Sequence, residues 1–156
     1  MDRHFRILKQ NRSIFVNLVG ELTIEQLNEI PAGFNNNIAW NFAHINSVLQ
    51  GLNYTRAGIP GKLPQELVDR FQRGTKPDRF ITAEEIEFQK LKSIELVDQM
   101  EKDWNSGLLV SYSPFKTSLG VAIDNNLDAL IFTGAHDFLH LGYCWAIKRI
   151  LLSKSK

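Results

Sequence analysis

The chain has one cysteine, Cys144, among its 156 residues, so no internal disulfide can hold it together and packing must do so. It also lacks an excess of either charge: 18 Lys and Arg face 17 Asp and Glu, a formal net charge of +1. A field that weak does not recruit nucleic acid, anionic lipid or acidic substrates. The opening "MDRHFRILKQNRSIF" is charged where a secretory leader needs an apolar centre, which makes the cytoplasm the expected compartment. Internal repeats, low-complexity tracts and flexible linkers are missing too, so residues 1–156 read as one domain. The longest apolar window, 127–147, could span a bilayer by length but carries Asp128, Asp137 and two imidazoles, each costly in hydrocarbon. A helix buried within the protein is the better reading.

Strand signal is sparse, and what remains is helical spacing. Phe5, Leu8, Phe15 and Leu18 predict a helix over about 3–19 that Gly20 ends. "TIEQ", Thr23 to Gln26, fits a capping box for one short turn before Pro31. After "NNN", Asn36 or Asn37 caps a second long helix running to about Arg56, with Ile38, Phe42, Ile45, Leu49 and Leu52 as its seam. Pro60, Pro64 and Pro77 mark residues 57–81 as a long connection with room for one small helix, "PQELVDRFQRG". Thr82 and Glu85 form another capping box and open a third helix, with Leu91, Ile94, Val97, Met100 and Trp104 as its apolar side, stopping near Gly107. Residues 108–123 fit either an extended loop or a small hairpin. A fourth helix starts near Asn125 or Asn126 and ends among Lys148, Arg149 and Lys154, which suit the negative end of its dipole. Leu127, Ile131, Phe138, Leu141 and Trp145 lie opposite its histidines, making it apolar nearly all round, as a central helix would be. The fold class is therefore all-α, an antiparallel four-helix bundle with a long connection between helices 2 and 3.

The chemistry concentrates in "GAHDFLHLGYCW", residues 134–145. His136 and His140 stand one turn apart and point the same way, so both can reach one ion. Each could instead be a buried imidazole satisfied by its own neighbour, but a single divalent ion satisfies two neutral rings at once. An ion needs at least a third ligand. Cys144 continues the spacing yet lies about 12 Å along the axis from His136, too far to share an ion, and reads as a core residue. "HDFLH" has the spacing of the zinc-protease pattern H-E-x-x-H with Asp137 in the Glu position, but nothing downstream completes such a site. His4 reads as an exposed terminal residue. His44 sits well off the main seam of the second helix, in a direction that permits it to face another helix.

"NNNIAWNFAHI" followed by "HDFLHLG", with "LTIEQLNEIPAGFNN" leading into the first, resembles the DinB-like superfamily, including the YfiT-like proteins grouped as metal-dependent hydrolases. The resemblance spans nearly the whole chain. It implies a four-helix bundle in which His44, His136 and His140 hold a divalent ion, Zn, Ni or similar. It also implies a small-molecule substrate, with thiol-dependent transferases using low-molecular-weight thiols among the members, and a homodimer. Where many members have Gln after the Gly of the second motif this chain has Tyr143, so substrate identity does not carry over. Three neutral imidazoles would leave an ion with an open position for water, a thiol or a carbonyl oxygen. Asp137 and Tyr143 are the candidate catalytic side chains, each with a plain alternative as a paired polar residue or a core aromatic. Trp40, Phe132 and Tyr143 are candidate pocket walls. The expected function is a metal-dependent transferase or hydrolase; the alternative is a non-catalytic binding protein whose helices the ion staples.

Overall fold

The computed structural model describes residues 2–153, so Lys154 lies outside the described residues. The protein is mostly helical: α1 (Asp2–Gly20), α2 (Ile24–Asn28), α3 (Ile38–Gln50), α4 (Gln65–Phe71), α5 (Ala83–Asn105) and α6 (Asn126–Ser153). Thr23 and Thr82 make the two capping boxes, and Asn37 caps α3 by accepting from Trp40 N–H. Helix α3 does not run on as α-helix to Arg56. Residues Gly51–Thr55 widen into a π-helical turn that carries the buried Leu52, Asn53 and Tyr54. The segment 108–123 contains a small antiparallel hairpin, with β1 (Phe115–Lys116) paired to β2 (Ala122–Ile123). No described helix is long and apolar enough to cross a membrane.

The long helices touch in a ring: α1 packs on α5 and α6, and α3 packs on the same two from the other side. The α3 seam Ile38, Phe42, Ile45, Leu49 and Leu52 is buried throughout. Apolar side chains of α1 (Phe5, Leu8, Phe15, Leu18) close on it.

Two sequence expectations fail on the outer helices. Leu91 of α5 is exposed, and the core-facing row of that helix includes Gln89 and Ser93. On α6, Leu127, Ile131, Phe138 and Trp145 are exposed while Leu141 alone of that stripe is buried, so α6 is an outer helix with one bare apolar side.

The polar row of α5 is explained by Arg12, whose guanidinium is fully buried at the middle of the ring. Its Nε donates to Asp137 Oδ2 at 2.5 Å and its Nη2 to Asp137 Oδ1 at 3.2 Å, on α6. The same group donates to Ile45 O at 3.0 Å and to Asn46 Oδ1 on α3, and reaches Ser93 Oγ on α5 at 3.4 Å. Asn46 passes the network on to Gln89, donating to its Oε1 at 2.8 Å and its carbonyl at 3.1 Å. One cation from α1 thus ties α3, α5 and α6 at one level, and every partner is itself hydrogen-bonded, as burial demands.

Removing one member of such a pair strands a buried charge. Asp137→Ala is expected to cost about 3–5 kcal/mol in urea unfolding, while joint replacement of Arg12 by Met and Asp137 by Leu recovers most of it. A single-variant loss below about 1 kcal/mol would contradict a structural role for the pair.

Candidate metal centre

The connection 57–81 reaches the histidines because α3 extends a row of polar side chains toward it. Gln50 Oε1 accepts from the backbone N–H of Lys62 at 2.7 Å and of Leu63 at 2.5 Å. Ser47 Oγ donates to Leu67 O at 3.3 Å, His44 Nδ1 meets Phe71 O at 2.5 Å, and Trp40 Nε1 donates to Thr75 Oγ1 at 3.2 Å. These residues recur at three- or four-residue intervals, one face of one helix. Gly61 is needed here: a Cβ on it would lie 2.2 Å from the Gln50 amide nitrogen.

His44 on α3 faces His136 and His140 on α6. Ring centroids are 5.3 Å apart for His44 and His136, 4.7 Å for His44 and His140, and 4.4 Å for the α6 pair. One nitrogen from each of the three rings falls within 4.8 Å of the others, an arrangement that could hold a metal ion. The Nε2 atoms of His136 and His140 are 3.2 Å apart. Two nitrogens on a divalent ion at about 2.0–2.1 Å stand roughly 3.3 Å apart in tetrahedral geometry, so this separation already suits shared coordination.

The hydrogen bonds set the tautomers. A carbonyl only accepts, so His44 Nδ1 must donate to Phe71 O, which leaves Nε2 with its lone pair. Asn41 Nδ2 donates to Asn37 O at 2.6 Å, which identifies its Oδ1 as the acceptor facing His140 Nδ1 at 2.7 Å. His140 is therefore also protonated on Nδ1, with Nε2 free. Partners of this kind orient and tune imidazole ligands. Among the described residues the buried His136 Nδ1 has no hydrogen-bond partner. Two bare lone pairs 3.2 Å apart repel, so without a cation His136 Nε2 carries the proton and donates to His140. To ligate through Nε2, His136 moves that proton to Nδ1.

Burial lowers the pKa of all three rings. His44 is lowered by burial against the opposing hydrogen bond to Phe71. His136 falls to about 2, through burial and then the neighbouring His140, His44 and Arg12. His140 falls to about 4, through burial and then His44. Neutral rings are the form that binds metal.

Of the other residues singled out from sequence, Trp40 stacks on His44 with centroids 4.5 Å apart and an interplanar angle of 15°, and Phe132 lies beside His136 at 6.2 Å. Tyr143 packs edge-on against Phe34 at 5.2 Å, on the flank of the core. Asp137 turns to Arg12. Burial raises its pKa to about 6 against the downward pull of that guanidinium, and both oxygens accept from it. Cys144 is fully buried, its thiol pushed up by burial, and His4 is exposed. Sequence reasoning missed Asn41, Arg12 and the Phe71 carbonyl. A polar residue three before His44 in an apolar helix was a usable signal for Asn41. A backbone carbonyl from a distant connection leaves none.

Because the folded imidazoles hold fewer protons than unfolded ones, whose ordinary value is 6.5, their contribution to stability is complete above that pH and declines as pH falls below it. Asp137, raised from 3.8 to about 6, acts in the opposite sense between those values, one carboxyl against three rings. Urea midpoints of metal-free protein should therefore fall from pH 7 to pH 5, and the fall should shrink in His136→Gln. A midpoint that rises over that range would contradict the neutral cluster.

The sequence profile of the DinB superfamily matches residues 7–144, a span that takes in all three histidines and the helices that carry them. Compared with curated proteins, the chain finds no match. On the extent of that profile match the chain belongs to the DinB superfamily.

Proposed function

We propose that this protein is a metal-dependent enzyme acting on a small molecule, a transferase that uses a low-molecular-weight thiol or a hydrolase, with His44, His136 and His140 as ligands. The observation that carries the reading is the convergence of three neutral imidazoles from two helices, two with Nε2 freed by an Nδ1 hydrogen bond. The ring of long helices supports an antiparallel four-helix bundle as its frame. A divalent ion held there would supply Lewis acidity toward an oxygen or sulfur donor at an open position.

The remaining steps belong to the chain. Asn41 and the Phe71 carbonyl keep His140 and His44 oriented, so little reorganisation accompanies loading. The Arg12–Asp137 pair fixes α6 against α1 and α3 one residue from His136, and so fixes the depth of both α6 imidazoles. His136 and His140 remain partly exposed whereas His44 is buried, so substrate approaches from the α6 side of the cluster. Trp40 closes the opposite side by stacking on His44.

Untagged protein should take up about one equivalent of Zn or Ni, measured by elemental analysis after dialysis, and His136→Ala should abolish uptake. Cys144→Ser should leave it unchanged. Retained uptake in His136→Ala, or uptake below about one tenth of an equivalent in the parent, would contradict the ligand assignment. Asn41→Ala should weaken affinity by about 10–100-fold in competition with a chelator; an unchanged constant would remove Asn41 from the site.

Turnover is separated from stapling by the Co-substituted protein. A small thiol that enters the open position should change the visible spectrum, with a sulfur-to-metal band appearing at saturation. An unchanged spectrum, together with no cleavage of ester or amide substrates, would favour the non-catalytic staple.

A further inference from the structure

A cleft of about 350 Å³ opens between α4 and the start of α5, whereas the three histidines stand on α3 and α6. Its volume falls in the range of small-molecule sites. Leu67 and Phe71 of α4, Ile81 just before α5 and Phe88 within it give the cleft apolar walls.

Gln89, only 3% exposed, is the buried polar side chain that lines the cleft. Its direction follows from a chain of donors. Arg12 can only donate, so the Asn46 atom that meets its Nη1 is the carbonyl oxygen. Asn46 Nδ2 is therefore the donor on the other side, and Gln89 Oε1 accepts from it at 2.8 Å. Gln89 Nε2 is left at the end of the chain, with two N–H groups and no acceptor among the described residues. A donor so placed calls for an acceptor in the cleft that its side chain borders.

The rim carries the opposite demand. Glu66, Glu84 and Glu85 all line the cleft. Glu85 is neutralised by Arg70 at 2.9 Å and Arg79 at 2.6 Å, but Glu66 and Glu84 have no cationic partner among the described residues. Hydrogen bonds from its own N–H and from Thr82, in the first turn of α5, hold Glu84 below the usual carboxylate range and so keep it ionised.

We propose that this cleft is a second binding site, for a small amine whose apolar body ends in a hydroxyl or carbonyl oxygen. The oxygen accepts from Gln89 Nε2, the body lies among Leu67, Phe71, Ile81 and Phe88, and the ammonium stays at the mouth beside Glu66 and Glu84. Glu84 and Gln89 are five residues apart on α5, about 7 Å along its axis, so a para-hydroxylated ring on a two-carbon arm reaches both. An anion would meet two carboxylates that lack counter-ions, and a wholly apolar ligand would leave the Gln89 donors unpaired. Water satisfies Gln89 but gains nothing from the walls. The site uses none of the histidines and borders the metal centre at Phe71, whose carbonyl accepts from His44.

Heteronuclear NMR of untagged, isotope-labelled full-length protein tests the site, with tyramine as the probe. Tyramine is expected to bind with a dissociation constant below about 1 mM and to shift the Gln89 side-chain NH2 pair together with the backbone amides of Leu67 and Phe88. Phenylethylamine, which lacks the oxygen, should bind at least about fivefold more weakly and leave the Gln89 pair near its free position. Hydroxyphenylpropionate, with a carboxylate in place of the amine, should not bind at the same concentrations. Joint replacement Glu66→Gln and Glu84→Gln should weaken tyramine about tenfold at low salt and less at about 0.5 M salt, with helical circular dichroism unchanged. Leu67→Trp, which fills the cleft, should abolish binding.

No shift at about 10 mM tyramine overturns the proposal, as do shifts confined to His136 and His140. So does hydroxyphenylpropionate binding as tightly as the amine, a Gln89 pair that phenylethylamine moves as far as tyramine does, or a double glutamine variant that binds like the parent. Zinc uptake is measured on the same samples, so failure of this site and failure of the metal reading are distinct results.

Discussion

The buried guanidinium of Arg12 is the constraint on which the rest depends. It carries a charge into the centre of the helical ring and holds it there only because α6 supplies Asp137, α3 supplies Asn46 and the Ile45 carbonyl, and α5 supplies Ser93. A hydrophobic contact tolerates sliding; a forked hydrogen-bond donor with fixed partners does not. The network therefore sets axial level and rotation of α6, and with them where His136 and His140 point. A site built from two helices needs such a reference, because a shift of one residue would turn each ring by about 100°.

Around that reference, α3 and α6 divide the work. Helix α3 contributes one ligand candidate and the hydrogen bonds that orient two rings, since Asn41 serves His140 and the connection it anchors serves His44. Helix α6 contributes the adjacent pair on its inner side and leaves an apolar seam on its outer side. The same run of sequence is thus read from both faces, which is why its composition is apolar nearly all round although it is not a central helix.

That double use marks the limit of what sequence made legible. The seam of α3, both capping boxes, the short helices and the starts of α3, α5 and α6 followed from spacing and cap chemistry, which are local. The pairing of His136 with His140 was equally local. The participation of His44 rested on resemblance to a family, and the structure brings it within reach of the pair. What stayed hidden was non-local. Neither Arg12 on α1 nor Gln89 and Ser93 on α5 stands out in the sequence, because a buried polar network has no period of its own. Leu91 and the outer stripe of α6 misled for the converse reason, since an apolar residue at helical spacing says that a face wants cover but not which element provides it.

The central claim, that His44, His136 and His140 share one ion, is tested most directly by X-ray absorption fine structure on zinc-loaded protein, compared with a His44→Ala variant. The account predicts three imidazole nitrogens at about 2.0–2.1 Å plus one oxygen or other exogenous donor in the parent, and loss of one imidazole from that shell in the variant. A spectrum with two or fewer imidazoles, or one that His44→Ala leaves unchanged, would contradict it.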